Sequence, residues 1–135
     1  MARPIVTSRQ LDYSDLDLDF LPHPTTGDVL IKTGEAAIKR SVRNLILTNF
    51  YEKPFRPGIG SGAIKLLFEN ATPLTATFLK NAIMEVIRNY EPRVEMMDVN
   101  VVFDYDNNGY SATMQYVILN RNLPVTTTIF LERIR

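Results

Sequence analysis

The chain has 135 residues, 45% of them hydrophobic and 22% charged, with 15 basic residues balancing 15 acidic ones. That length supports one core and not two, and the charge balance gives no global field toward nucleic acid or an anionic membrane. The lack of cysteine excludes disulfides and thiolate metal sites, and no apolar run approaches the roughly 20 residues that cross a bilayer.

Residues 1–30 read as an N-terminal arm ahead of a single domain over 31–135. Met1 to Val6 lack the apolar core of a secretory signal, so a protein made in a cytoplasm is expected. Asp12, Asp15, Asp17 and Asp19 interleave with Leu11, Tyr13, Leu16, Leu18 and Phe20. Two readings stand open: a short strand laid on the body, or an acidic lead-in with no fixed place. A calcium loop is excluded, because no glycine sits mid-loop and no glutamate closes it. His23 to Asp28 is rich in turn residues, and Val29-Leu30-Ile31 is a candidate strand.

A first helix is expected from Glu35 to Thr48. Thr33 can cap it, Glu35 suits its first turn, and Ile38, Val42, Leu45 and Ile46 form its apolar stripe. Lys39, Arg40 and Arg43 fall on the opposite side, as a solvated or partner-facing surface. The loop from Tyr51 to Gly62 combines two prolines with three glycines, which makes a shaped connection. Gly58, Gly60 and Gly62 do not make a phosphate loop, since neither a Gly-Lys-Ser/Thr ending nor Gly-x-Gly-x-x-Gly is present.

Ala63 to Phe68 reads as a short helix burying Ile64, Leu67 and Phe68. Thr72-Pro73 then gives an N-cap followed by proline at the first helical position. The helix it opens carries Phe78, Leu79, Ala82, Ile83, Val86, Ile87 and Tyr90 at three- and four-residue steps, the spacing of one buried face. Pro92 disfavours helical backbone at Glu91, and beyond it Val99, Val101 and Phe103 alternate with polar neighbours at the period of a strand. Three strands are expected, near 94–105, 110–120 and 125–133. Asp106-Asn107-Asn108-Gly109 forms the first turn between them and residues 120–124 the second. The fold class is therefore α+β: about three helices followed by a C-terminal antiparallel meander.

No catalytic constellation emerges. His23 is the single histidine and lies among turn residues, so zinc sites and a Ser-His-Asp arrangement lack their components. Ser61, between two glycines, is explained by turn chemistry. A glycosidase needs two carboxyl groups in contrasting surroundings. Glu35, Glu52, Glu69, Glu85, Glu91, Glu95 and Glu132 supply carboxyls, but the pattern marks no such pair, and there is no tryptophan for a sugar platform. No metal, cofactor or small-molecule substrate is expected.

Leu67-Phe68-Glu69-Asn70-Ala71-Thr72-Pro73-Leu74-Thr75, Arg88-Asn89-Tyr90-Glu91-Pro92-Arg93-Val94 and Val99-Asn100-Val101 closely resemble the small baseplate wedge proteins of contractile-tailed phages. This sheath-initiator family is often labelled lysozyme-like and is shared with a type VI secretion baseplate subunit. Glu52-Lys53-Pro54-Phe55-Arg56-Pro57 with Gly60 also resembles the family loop, although Gly58-Ile59 stands where the family often has an acidic residue and an aromatic. The resemblance spans about residues 35–105; the last two strands fit in kind, and residues 1–30 are not covered.

The resemblance implies a fold similar to the C-terminal domain of the tail sheath protein and a structural role in the tail baseplate of a virion assembled in the host cytoplasm. It implies wedge neighbours at Glu91, Pro92 and Arg93 and at Pro54, Phe55 and Arg56, and tail sheath as a partner, with the tail tube as a further neighbour. Sheath segments would add to an edge formed by the last strand, where Val125, Thr127 and Ile129 alternate with Thr126, Thr128 and Phe130. The arginine can fork onto a neighbour's carboxylate, and Glu91 has two candidate partners, one inside the fold and one on a neighbour. The alternatives are a peptidoglycan-degrading enzyme, or an adaptor without sheath contact.

Overall fold

The computed structural model describes residues 12–119 and 121–133. In chain order they form β1 (Ser14–Leu16), β2 (Ile31–Thr33), α1 (Gly34–Leu47), α2 (Ala63–Leu66), α3 (Pro73–Tyr90), β3 (Val94–Asp104), β4 (Gly109–Ile118) and β5 (Leu123–Glu132). The class is α+β, with helices packed on one face of an antiparallel sheet of order β3-β4-β5. None of the helices is long and apolar enough to cross a membrane.

The central strand has the clearest pattern. Tyr110, Ala112, Met114, Tyr116 and Ile118 of β4 are all buried, and the residues between them face out. In register with them on β5 stand Leu131, Ile129, Thr127, Val125 and Leu123, so the inward side of the sheet is continuous. Against it lie Ile38, Val42, Leu45 and Ile46 of α1 and Leu79, Ile83, Val86 and Ile87 of α3, all in one apolar cluster.

β3 keeps its inward side only by changing phase. Val94 is buried and Met96 half-buried, and then the register slips between Met96 and Asp98. This bulge leaves Met97 60% exposed and lets Val99, Val101 and Phe103 turn inward in their place. The turn that follows is capped by Asp104, whose carboxylate accepts from the N–H groups of Asp106 and Asn107. Asn108 takes φ of 48°, a left-handed conformation that asparagine adopts more readily than most residues.

Thr72 caps α3 as expected, accepting from the Thr75 N–H at 3.2 Å. Thr33 occupies the cap position of α1 without a side-chain hydrogen bond. Gly34, at φ +60°, starts that helix from a left-handed conformation that favours glycine, and its N–H bonds the Tyr13 carbonyl at 2.7 Å.

Several expectations are corrected. The candidate strand at 29–31 lies two residues late in the chain, at Ile31–Thr33, and Val29 makes only an isolated bridge with Pro22. Ile64 is half-buried and Phe68 is 61% exposed, because α2 is a four-residue turn with a single inward side. On α3, Phe78 and Tyr90 lie outside the buried stripe, which runs through Thr75, Leu79, Ile83, Val86 and Ile87. β5 begins at Leu123 and includes Pro124, which an edge strand tolerates.

The Tyr110 hydroxyl is fully buried and has no hydrogen-bond partner among the described residues. Removing a stranded buried hydroxyl relieves a desolvation cost of about 1–3 kcal/mol. Tyr110→Phe is therefore expected to hold or raise the urea midpoint, whereas Met114→Ala in the same core should cost about 2–5 kcal/mol. A clear loss for Tyr110→Phe would mean that the hydroxyl is satisfied.

Candidate assembly site

The end of α3 positions the central polar group. The Glu91 N–H still bonds the Ile87 carbonyl at 2.9 Å, and Pro92 then forces the chain outward, so the Glu91 side chain swings under the helix end. It is 2% exposed. Arg93 donates to both of its oxygens, from Nε at 2.6 Å and Nη2 at 2.9 Å, and Ser41 of α1 donates a third hydrogen bond.

The other side of the guanidinium meets Asp15 of β1, with three contacts of 3.1 to 3.2 Å. Its plane also lies over the Tyr13 ring, 5.5 Å from the centroid. The partner of Glu91 is thus inside the chain, and the Arg93 fork is occupied by two carboxylates of its own molecule. Burial alone would push the Glu91 carboxyl up, but hydrogen bonds from Arg93 and Ser41 outweigh it and hold the group below its ordinary value. The Glu91 carboxylate in turn raises Arg93 well above its ordinary range.

The acidic segment completes the network. β1 pairs with β2 in register, Asp15 opposite Lys32, which settles the open reading of residues 12–20 in favour of a strand laid on the body. Each of its aspartates has a cation. Asp12 pairs with Arg121 from the β4–β5 turn, Asp15 with Arg93, Asp17 with Lys32 at 3.4 Å, and Asp19 with Arg40 at 2.8 Å. The Arg121 guanidinium packs directly on Gly34, where an added Cβ would sit 3.3 Å from Nη2. Nothing in the sequence signals which cation each aspartate takes; the strand-like spacing of the four is the usable clue.

The remaining predicted residues lie elsewhere. Pro92 is exposed at the corner. Pro54, Phe55 and Arg56 sit at the tip of the loop, with Phe55 fully exposed and at φ 65°. The loop is held below its tip: Tyr90 donates to the Gly58 carbonyl at 2.7 Å, which joins it to the end of α3. Gly60 is required there, since a Cβ would lie 2.5 Å from the Asn49 backbone. Val125 and Ile129 are buried and Thr127 half-buried, so these three point their side chains toward the core.

Among the described residues, β5 pairs only with β4, and its other edge is open. Which of its groups face that edge can be deduced. The Arg133 N–H bonds the Asn108 carbonyl, so odd-numbered residues turn their backbone groups toward β4. The even-numbered residues Thr126, Thr128 and Phe130 present theirs outward, consistent with Pro124, which has no N–H, at the same parity. Among the described residues no group of three or more His, Asp or Glu could hold a metal.

A model of the baseplate wedge protein gp25 family matches residues 32–122. The chain belongs to this family. It is 34% identical over 108 residues to baseplate wedge protein gp25 of Enterobacteria phage T4, covering 80% of this chain and 81% of that one. Its fold is shared with a Geobacter sulfurreducens protein named as a tail lysozyme, at a TM-score of 0.68 and 20% identity over 73% of this chain and 89% of that one. It is shared as well with a chain of the anti-feeding prophage baseplate, at a TM-score of 0.64 and 22% identity over 92% and 88%. The gp25 family match begins at residue 32, so β1 and its aspartates precede it.

Two outcomes follow from the corner. Arg93→Ala strands a buried carboxylate and is expected to cost about 3–5 kcal/mol in urea denaturation. Because the folded pKa of Glu91 is depressed, the stability it contributes is complete above the unfolded value of about 4.3 and is lost as pH falls through the folded value. Glu91→Gln should flatten that part of the acid-side decline; an unchanged pH profile would show that Glu91 does not titrate with folding. The hairpin ion pairs are more exposed. Raising salt to about 1 M, where the Debye length falls to about 3 Å, should speed amide exchange in β1 and β2 while leaving β4 unchanged.

Proposed function

We propose that this chain is a non-enzymatic subunit of a contractile-tail baseplate wedge, located in the virion, which templates the first ring of tail sheath by accepting sheath strands. The observation that carries this reading is the open edge of β5, with outward backbone groups at Thr126, Thr128 and Phe130. An unpaired edge is a template for an incoming strand, which gains main-chain hydrogen bonds without any pocket. Family membership supports the baseplate role. Wedge neighbours would meet the loop tip at Pro54, Phe55 and Arg56, and the exposed Pro92 at the end of α3.

The state of Glu91 supports the absence of enzymatic activity. A glycosidase acid needs a raised pKa, whereas Glu91 is buried, ion-paired and held below its ordinary value. The corner carboxylate is used to hold the fold.

Proline at single positions of β5 tests the edge. Thr128→Pro removes an outward N–H and should leave the thermal midpoint within a few degrees while abolishing sheath growth from reconstituted baseplates. Thr127→Pro removes a ladder bond to β4 and should unfold the sheet, a cost of about 3 kcal/mol or more. Normal sheath growth with Thr128→Pro would favour an adaptor without sheath contact, and clearing of purified peptidoglycan by the wild-type chain would overturn the non-enzymatic reading.

A further inference from the structure

β5 has one open edge among the described residues, and the chain brings a segment of its own to that edge. Two ion pairs set the route. Asp15 meets Arg93 at the start of β3, and Asp12 meets Arg121 in the β4–β5 turn. Traced from Asp15 back to Asp12, the chain therefore crosses the end of the sheet from its β3 side toward β5. The crossing is pinned beside that turn, because the Gly34 N–H bonds the Tyr13 carbonyl and the Arg121 guanidinium packs on Gly34. The described chain begins at Asp12, next to the turn from which β5 starts at Leu123.

Residues 1–11 have the length and composition for that edge. Eleven residues reach about 36 Å when extended, and the ten residues of β5 span about 34 Å. Ile5-Val6-Thr7 is a β-branched run of the kind that favours a strand. A segment that ends at the Leu123 end of β5 runs antiparallel to it, so no crossover connection is needed. Pro4 fixes the phase. It has no N–H and sits in a strand only where its nitrogen points away from the neighbouring strand. That leaves Ile5 and Thr7 to bond the outward groups of β5, on the same face as Phe130, which is 44% exposed. Val6 then falls on the core side with Val125 and Ile129. A bare edge would pair with any extended chain, a second copy included.

We propose that residues 4–9 of this chain pair antiparallel with β5 in the free subunit and yield that edge when a sheath strand arrives. The inference rests on the reading of β5 as the sheath-accepting edge and adds what occupies it beforehand. The incoming strand exchanges for a tethered one, so the edge is protected before assembly and still available to it.

Amide exchange in the free chain tests this before any sheath is present. The N–H groups of Thr126, Thr128 and Phe130 should exchange at least about tenfold more slowly than in a chain lacking residues 2–10, with exchange in β4 unchanged. Equal exchange in the two chains overturns the proposal. In the full-length chain, Thr7→Pro removes a bonding N–H and should release the same three amides, whereas Ser8→Pro should not; release by both or by neither overturns it. Because the chain has no cysteine, Thr7→Cys can be combined in turn with Thr126→Cys and Thr128→Cys. One of the two pairs should close a disulfide within a single chain, since opposite residues lie about 5.5 Å apart. Closure of neither pair, or only between two chains, overturns the proposal. Sheath growth from reconstituted baseplates separates the two readings. Slowed amides without any sheath growth keep the segment on β5 and overturn the proposed function. Where sheath grows, loss of residues 2–10 should shorten its lag, and an unchanged lag overturns the exchange of strands.

Discussion

A buried carboxylate with three donors governs this molecule. Glu91 leaves α3 at the point where Pro92 ends the helical backbone, and Arg93 and Ser41 hold it there. Three elements are fixed by that one group: the end of α3, the middle of α1, and the start of β3. Arg93 then extends the network to Asp15, which places β1, and the Leu119 N–H bonds the Arg93 carbonyl at 3.1 Å, which anchors the end of β4. Such a pair is weak as a source of net stability but severe when broken, because the surviving partner is left charged and dry. Its effect is to specify one arrangement of elements, and every outward surface discussed above hangs from it.

The sheet and two long helices were legible because their information is local. The Thr72-Pro73 start, the turn at Asp106–Gly109 and the strict alternation of β4 are each contained within a few residues. The corner was legible as a break in period and not as a network, because Ser41 and Asp15 lie 50 and 78 residues from their partners. The burial errors have a different cause. Phe68 and Phe78 fit an apolar period, but the core can cover only one stripe of each helix, and periodicity does not say where that stripe ends. For the hairpin, the alternating pattern left a strand as one of two open readings and could not tell which way the acids turned. That orientation depends on Arg93, Lys32 and Arg40, which reach it from three separate elements.

The distribution of exposed apolar groups fits a part of an assembly. Leu16, Leu18 and Phe20 on the hairpin, Tyr51 and Phe55 on the loop, and Leu74 and Phe78 on α3 are half or more exposed or nearly so. They stand on three different elements, outside the buried apolar cluster. With a net charge of zero, the chain has little long-range steering, and its contacts must be selected by shape at short range.

The bulge at Met97 has a consequence for how this sequence can change. The two halves of β3 are in opposite phase, and the extra residue reconciles them. A substitution at Met97 alters an exposed side chain. Loss of that one codon would remove the bulge and leave Val94, Met96 and Val99 on one two-residue alternation, opposite Ile118, Tyr116 and Met114 as before. The inward side of the strand therefore survives either change at this position, and what the extra residue supplies is a local bend and added twist of β3 beside the corner.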